Sequence, residues 1–154
     1  MLRDCLHRAD EAALQAAVGR FPFWHVAYHT LFFTDLYLSR SEQSFRPPSF
    51  HREDYQWLGV NFAAPDKKIV ANRHYNSDTL IEYVDICREK AKHSIGDETE
   101  TSLSGVSGFS WLEFTRLETH LYNIRHIQHH TGQLSAALQR AQGEGSAWVS
   151  SDPL

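Results

Sequence analysis

The chain has 154 residues, 42% of them hydrophobic and including four Trp, six Tyr and nine Phe, with a formal charge of −4. That is enough for one domain around a packed core and too little for two, and it excludes a disordered segment. No Lys/Arg cluster provides the basic face a nucleic acid needs, and no apolar run reaches the roughly 18 residues of a membrane span.

Residues 1–20 mix Arg, Asp and Glu with short apolar stretches and do not read as a signal peptide, so a cytoplasmic protein is expected. Leu2, Leu6, Ala9, Ala13 and Ala17 recur at helical spacing and predict a first helix that stops at Gly19. Pro22 suits the first turn of a second helix running to about Ser39. That helix is apolar on all sides, which marks a central, buried element, yet it carries His25, His29 and Asp35.

The stretch between the second and third helices, with Pro47, Pro48 and Pro65, is too long to be structureless in a compact domain. Phe45, Phe50, Tyr55, Trp57 and Phe62 predict that it packs down over one end of the helices. A third helix is expected from the N-cap Ser77, burying Leu80, Val84, Cys87 and Ala91 and ending before Gly96. Ser110-Trp-Leu-Glu113 reads as a capping box for a fourth, with Phe109 and Phe114 as its hydrophobic staple and Gly143 as its stop. Residues 143–154 read as a mobile tail on a single all-α domain spanning 1–154. Cys5 and Cys87 form no CxxC pair and are expected as reduced core thiols.

Ten histidines are an unusual load. On a helical wheel with Leu121 at zero, Phe114, Leu117 and Ile124 fall within about 60° of it, and Ile127, Leu134 and Leu138 near 220–260°. His126 and His130, at about 140° and 180°, stack i, i+4 at the margin of this broad apolar arc. His129, near 80°, points away from them. Two imidazoles on one rigid face suit a zinc- or nickel-type ion, which needs a third ligand from another helix. His29 and His25 on the buried second helix both qualify. Gln133 and Glu118 are candidates to hold a ring tautomer. His7, His51, His74, His93 and His120 are expected in loops or solvent.

Residues 122–134, Tyr-Asn-Ile-Arg-His-Ile-Gln-His-His-Thr-Gly-Gln-Leu, resemble the HxxHHxGQ signature of the DinB-like superfamily. Residues 23–38 resemble that superfamily's second helix, which supplies the remaining ligand. The resemblance implies a four-helix bundle with a long crossover between helices 2 and 3, often a homodimer, and a three-histidine metal site. Its ligands would be the first and last His of the run, His126 and His130, with His29 preferred to His25 because it lies deeper in the apolar helix. Thr131 stands where the family often has Arg. Relatives in that superfamily include thiol-dependent S-transferases, a maleylpyruvate isomerase and a domain of ergothioneine-forming enzymes. The expected function is a metal-dependent transferase or hydrolase acting on a small-molecule substrate with a low-molecular-weight thiol or water as nucleophile. Its competitors are a non-catalytic, metal-stabilised bundle serving as a stress-associated binding or interaction module and a bundle that keeps the histidines without metal.

Overall fold

The computed structural model describes residues 1–61, 64–67, 69 and 71–149; Phe62 and residues 150–154 lie outside them. In chain order the elements are α1 (Leu2–Arg8), α2 (Glu11–Leu14), β1 (Ala17–Val18), β2 (Phe21–Pro22), α3 (Phe23–Leu38), α4 (Ser77–Gly96), α5 (Glu100–Ser104) and α6 (Arg116–Gln142). The described chain is thus mostly helical, with one small antiparallel hairpin pairing Val18 with Phe21. Helix α3 lies at the centre, packed against α4 and α6, and α1 packs on those same two helices. Every residue of α3 except His29 is buried.

The first predicted helix breaks in two and never reaches Ala17. Ala9 is extended, and the Asp10 side chain accepts from Ala13 N–H at 2.7 Å, so a capping carboxylate outcompetes the continuing helix. Ala17 then enters a strand, and Gly19 at φ +64° turns the hairpin. At the other end, the capping box that starts the last helix is Thr115 with Glu118, not Ser110 with Glu113. The segment between them is held by Ser107, whose N–H donates to Phe114 O while its hydroxyl bonds Leu112 O. A short helix, α5, with its own capping box at Thr99 and Ser102, had no apolar periodicity to announce it. Asn76, one residue before Ser77, caps α4, and Tyr83 joins Leu80, Val84 and Cys87 in the core while Ala91 is only partly buried.

The long connection after α3 runs along that helix instead of closing one end. Phe45 packs on Phe32, Trp57 on Phe33 and Tyr55 on Trp24, while Phe50 meets Tyr83 of α4. The tail is tied down over its first residues: Ser146 N–H donates to Ser135 Oγ and Ala147 N–H to Asp4. Half of the predicted apolar arc of α6 faces outward. Leu117, Leu121 and Ile124 are 48%, 57% and 51% exposed, whereas Thr119, Asn123, Leu134 and Leu138 face α3 and α1.

At the C-terminus of α3 one side chain meets three carbonyls at once. Arg116 is 3% exposed and donates to the carbonyls of Tyr37 (3.0 Å), Leu38 (3.2 Å) and Ser39 (2.8 Å). Its Nε donates to Glu98 at 2.8 Å, and that carboxylate also receives Ser102 and His120. Burial alone would raise the Glu98 pKa, but those hydrogen bonds outweigh it and hold it at about 2. An unfolded glutamate titrates near 4.5, so the unfolded chain binds a proton that the folded one refuses. The resulting stabilisation, at most about 3 kcal/mol, is complete above pH 5 and lost as pH falls through 4.5 toward 2. The urea midpoint of Glu98→Gln should therefore lie below wild type at pH 6, with the gap narrowing as pH is lowered; a pH-independent gap would rule the carboxylate charge out as its source. Arg116→Met, which strips the cap and strands the carboxylate, should cost about 3–5 kcal/mol.

Candidate metal centre

His29 leaves the middle of α3, and His126 and His130 leave α6, where the two helices pack against each other. One ring nitrogen of each lies within 4.8 Å of the others. Tetrahedral coordination at 2.0–2.1 Å would put such nitrogens about 3.3 Å apart, a spacing the His29 Nε2–His126 Nε2 pair, at 3.2 Å, already has. The ring centroids are 4.7 Å apart for His126 and His130 and 4.9 Å for His29 and His130. These three are the only such group of metal-ligating side chains among the described residues, and it contains no carboxylate or thiol.

The backs of two rings are fixed. His29 Nδ1–H donates to the Gln56 carbonyl at 2.6 Å, and His130 Nδ1–H donates to Gln133 Oε1 at 2.9 Å. An acceptor on Nδ1 leaves the lone pair on Nε2, so both rings present the nitrogen a metal takes. The long connection thus contributes to the centre through a backbone carbonyl that side-chain patterning could not reveal. Phe33 lies beside both rings, tilted against His29 at 4.9 Å and edge-on to His126 at 5.9 Å, with Trp57 packed against it. The donor set and its held tautomers fit a divalent ion.

Other sequence candidates fall elsewhere. His25 is 4% exposed, lies flat on Trp24 and donates to Tyr55 O at 2.9 Å, so it is a satisfied core imidazole. His129 is exposed, outside the cluster, and its ring stands edge-on to that of His130. Glu118 belongs to the capping box, two turns from His126, and does not serve the centre. Asp35 faces away, held by Tyr83 and Lys90. Of the histidines expected in loops or solvent, His120 instead sits on α6, 9% exposed and bonded to Glu98, whereas His51 does lie in the long connection, its Nδ1 2.7 Å from the buried Tyr28 hydroxyl. Two open clefts of about 490 and 520 Å³ flank the start of α6 and share no residue with the histidines. No family model, curated protein or solved structure matches the chain.

Burial pushes all three imidazoles toward the neutral form: His29 to about 4, His126 to about 3, and His130 also down. The His29 and His126 values are lowered further by the other rings. Against an ordinary value of 6.5, the folded chain binds fewer protons than the unfolded one at acidic pH. The histidine contribution to stability should be full above 6.5, fall as pH drops below it, and level off only below about 3, even in chelator-treated protein. Thermal midpoints across that window should fall more gently for His126→Gln. An identical slope in the variant would mean that His126 is not held neutral by the fold.

Proposed function

We propose that the chain is a metal-dependent transferase or hydrolase of DinB-like, four-helix type, in which His29, His126 and His130 hold a divalent ion, zinc or nickel. The observation that carries this reading is the convergence of three imidazole nitrogens from two helices, two of them with the tautomer that binds metal. Three neutral donors leave the charge of a divalent ion uncompensated, which favours an anionic fourth ligand. Such an ion lowers the pKa of a thiol or water and keeps it as a nucleophile. The chain's part is positional. Gln56 and Gln133 hold the rings, while Phe33 and Trp57 form an apolar wall beside them. With no carboxylate, thiol or fourth histidine in the cluster among the described residues, the nucleophile must come from outside: a low-molecular-weight thiol or water.

Protein purified without a His-tag or chelating resin should carry about one ion per chain. His29→Gln, His126→Ala and His130→Ala should each lose most of it, while His129→Ala and His25→Gln keep it; stoichiometric metal in the His126 and His130 variants would sink the assignment. Transfer of a small thiol to an electrophile should follow metal content across the same series. A loaded protein inert toward thiol transfer and hydrolysis would leave the non-catalytic module as the better reading.

The exposed apolar stripe of α6 supports a second copy of the chain as partner. Leu117, Leu121 and Ile124 are spaced almost symmetrically about Leu121, with Glu118 and Arg125 on either side. An antiparallel two-fold contact would set Leu117 on Ile124 of the other copy and bring each Glu118 toward the opposite Arg125. Light scattering should give a dimer mass for wild type and a monomer for Leu121→Glu, with the metal retained; a monomeric wild type removes this interface.

A further inference from the structure

His126 differs from its two partners. Its Nε2 faces His29 Nε2 at 3.2 Å, yet its Nδ1 is buried and has no hydrogen-bond partner. Since His29 carries its proton on Nδ1, the two facing nitrogens share a single proton, and His126 must supply it from Nε2. With an ion between those nitrogens, that proton cannot stay. His126 must become the Nδ1–H tautomer, and a buried N–H then needs an acceptor or costs about 1–3 kcal/mol.

One acceptor stands out on the same helix. Asn123, three residues before His126, is 3% exposed and donates Nδ2–H to Thr34 O at 3.2 Å. A carbonyl can only accept, so this bond fixes which way the amide faces and leaves Oδ1 as a buried acceptor without a partner. Helical side chains lean toward the turn before them, and residues three apart are surface neighbours with Cβ atoms about 5–6 Å apart. His126 Nδ1 and Asn123 Oδ1 are thus two buried, unpartnered atoms three residues apart on one helix; with the His126 proton on Nε2 both are acceptors and stay unpaired, and moving that proton to Nδ1 supplies the missing donor. Of the other buried orphans, Thr131 is five residues on and about 140° around the helix, and Gln56 Oε1 belongs to the residue whose carbonyl already holds His29.

We propose that Asn123 is the positioning residue of the third ligand: its Oδ1 accepts His126 Nδ1–H when Nε2 binds the ion. This rests on the three-histidine reading above. Asn123 then links the centre to α3, because the same amide that orients His126 is anchored on Thr34 O, beyond His29 on that helix.

The test separates the two ends of the amide, using zinc as the probe and chelator competition to measure affinity. Asn123→Leu removes both ends and should weaken zinc binding by about 10–100-fold. Asn123→Asp keeps an acceptor for His126 but cannot donate to Thr34 O, and should bind zinc as tightly as wild type or tighter. A residue that merely braced α3 would give equal losses in both, and that result overturns the proposal. So does loss of affinity in Gln56→Leu with Asn123→Leu unaffected. In zinc-loaded wild type, which needs no variant to fold, imidazole nitrogen spectra should show His126 as the Nδ1–H form with slow proton exchange; fast exchange overturns the assignment. Wild type that binds no zinc defeats this inference and the metal reading together. Zinc lost in His126→Gln but untouched in Asn123→Leu defeats this inference alone.

Discussion

Helix α3 has almost no solvent face, and the rest of the molecule is organised around satisfying the polar groups it therefore buries. Its two threonines turn inward on the helix itself, Thr30 donating to Val26 O and Thr34 to Thr30 O. Asp35 takes hydrogen bonds from Tyr83 and Lys90 of α4. The last carbonyls are met by Arg116 of α6 and by Ser94 of α4, which donates to Leu38 O at 2.6 Å. His25 and His29 are met by the backbone of the long connection. An unsatisfied buried group costs on the order of 1–3 kcal/mol, so each of these partners fixes the position of a neighbouring element on α3.

The three-histidine cluster follows from this constraint. His29 is the one residue of α3 that escapes full burial, and it does so where α6 brings two histidines alongside. The Gln56 carbonyl that keeps the connection seated on α3 also sets the His29 tautomer. Packing and the orientation of the His29 ring therefore share a hydrogen bond. The cost is electrostatic: three imidazoles in one partly dry place must all stay neutral, and the fold is weakened by acid there. An ion that needs neutral imidazole would turn the same arrangement into stabilisation.

The Glu98–Arg116 pair does comparable work at the far end of α3. A guanidinium buried against three carbonyls needs a counter-charge, and Glu98 supplies it from the turn between α4 and α5. His120, on the next turn of α6, shares that carboxylate. One end of α6 thus closes α3 electrostatically, and its middle carries two histidines of the cluster.

How much of this was legible in the sequence depended on how local its cause was. Helices α3, α4 and most of α6 could be read directly, because apolar periodicity, a proline at the entry and a glycine at the exit act within a few residues. The i, i+4 placement of His126 and His130 follows from helix geometry alone. The choice of Asp10 over a continuous first helix, and of Thr115 over Ser110 as the last N-cap, depended on competing caps that look equally good in one dimension. The sequence could prefer His29 to His25 only by its depth in the helix; the tertiary structure shows that α6 brings its two histidines to His29 and not to His25, because both sit on the same buried helix and only packing shows which one α6 reaches. The tertiary structure alone decided that Leu117, Leu121 and Ile124 face outward. A wheel gives the angle between side chains, but the neighbour that a face meets is set by where the other helices lie, and here α3 and α1 take the side of α6 that carries Asn123, His130 and Leu134.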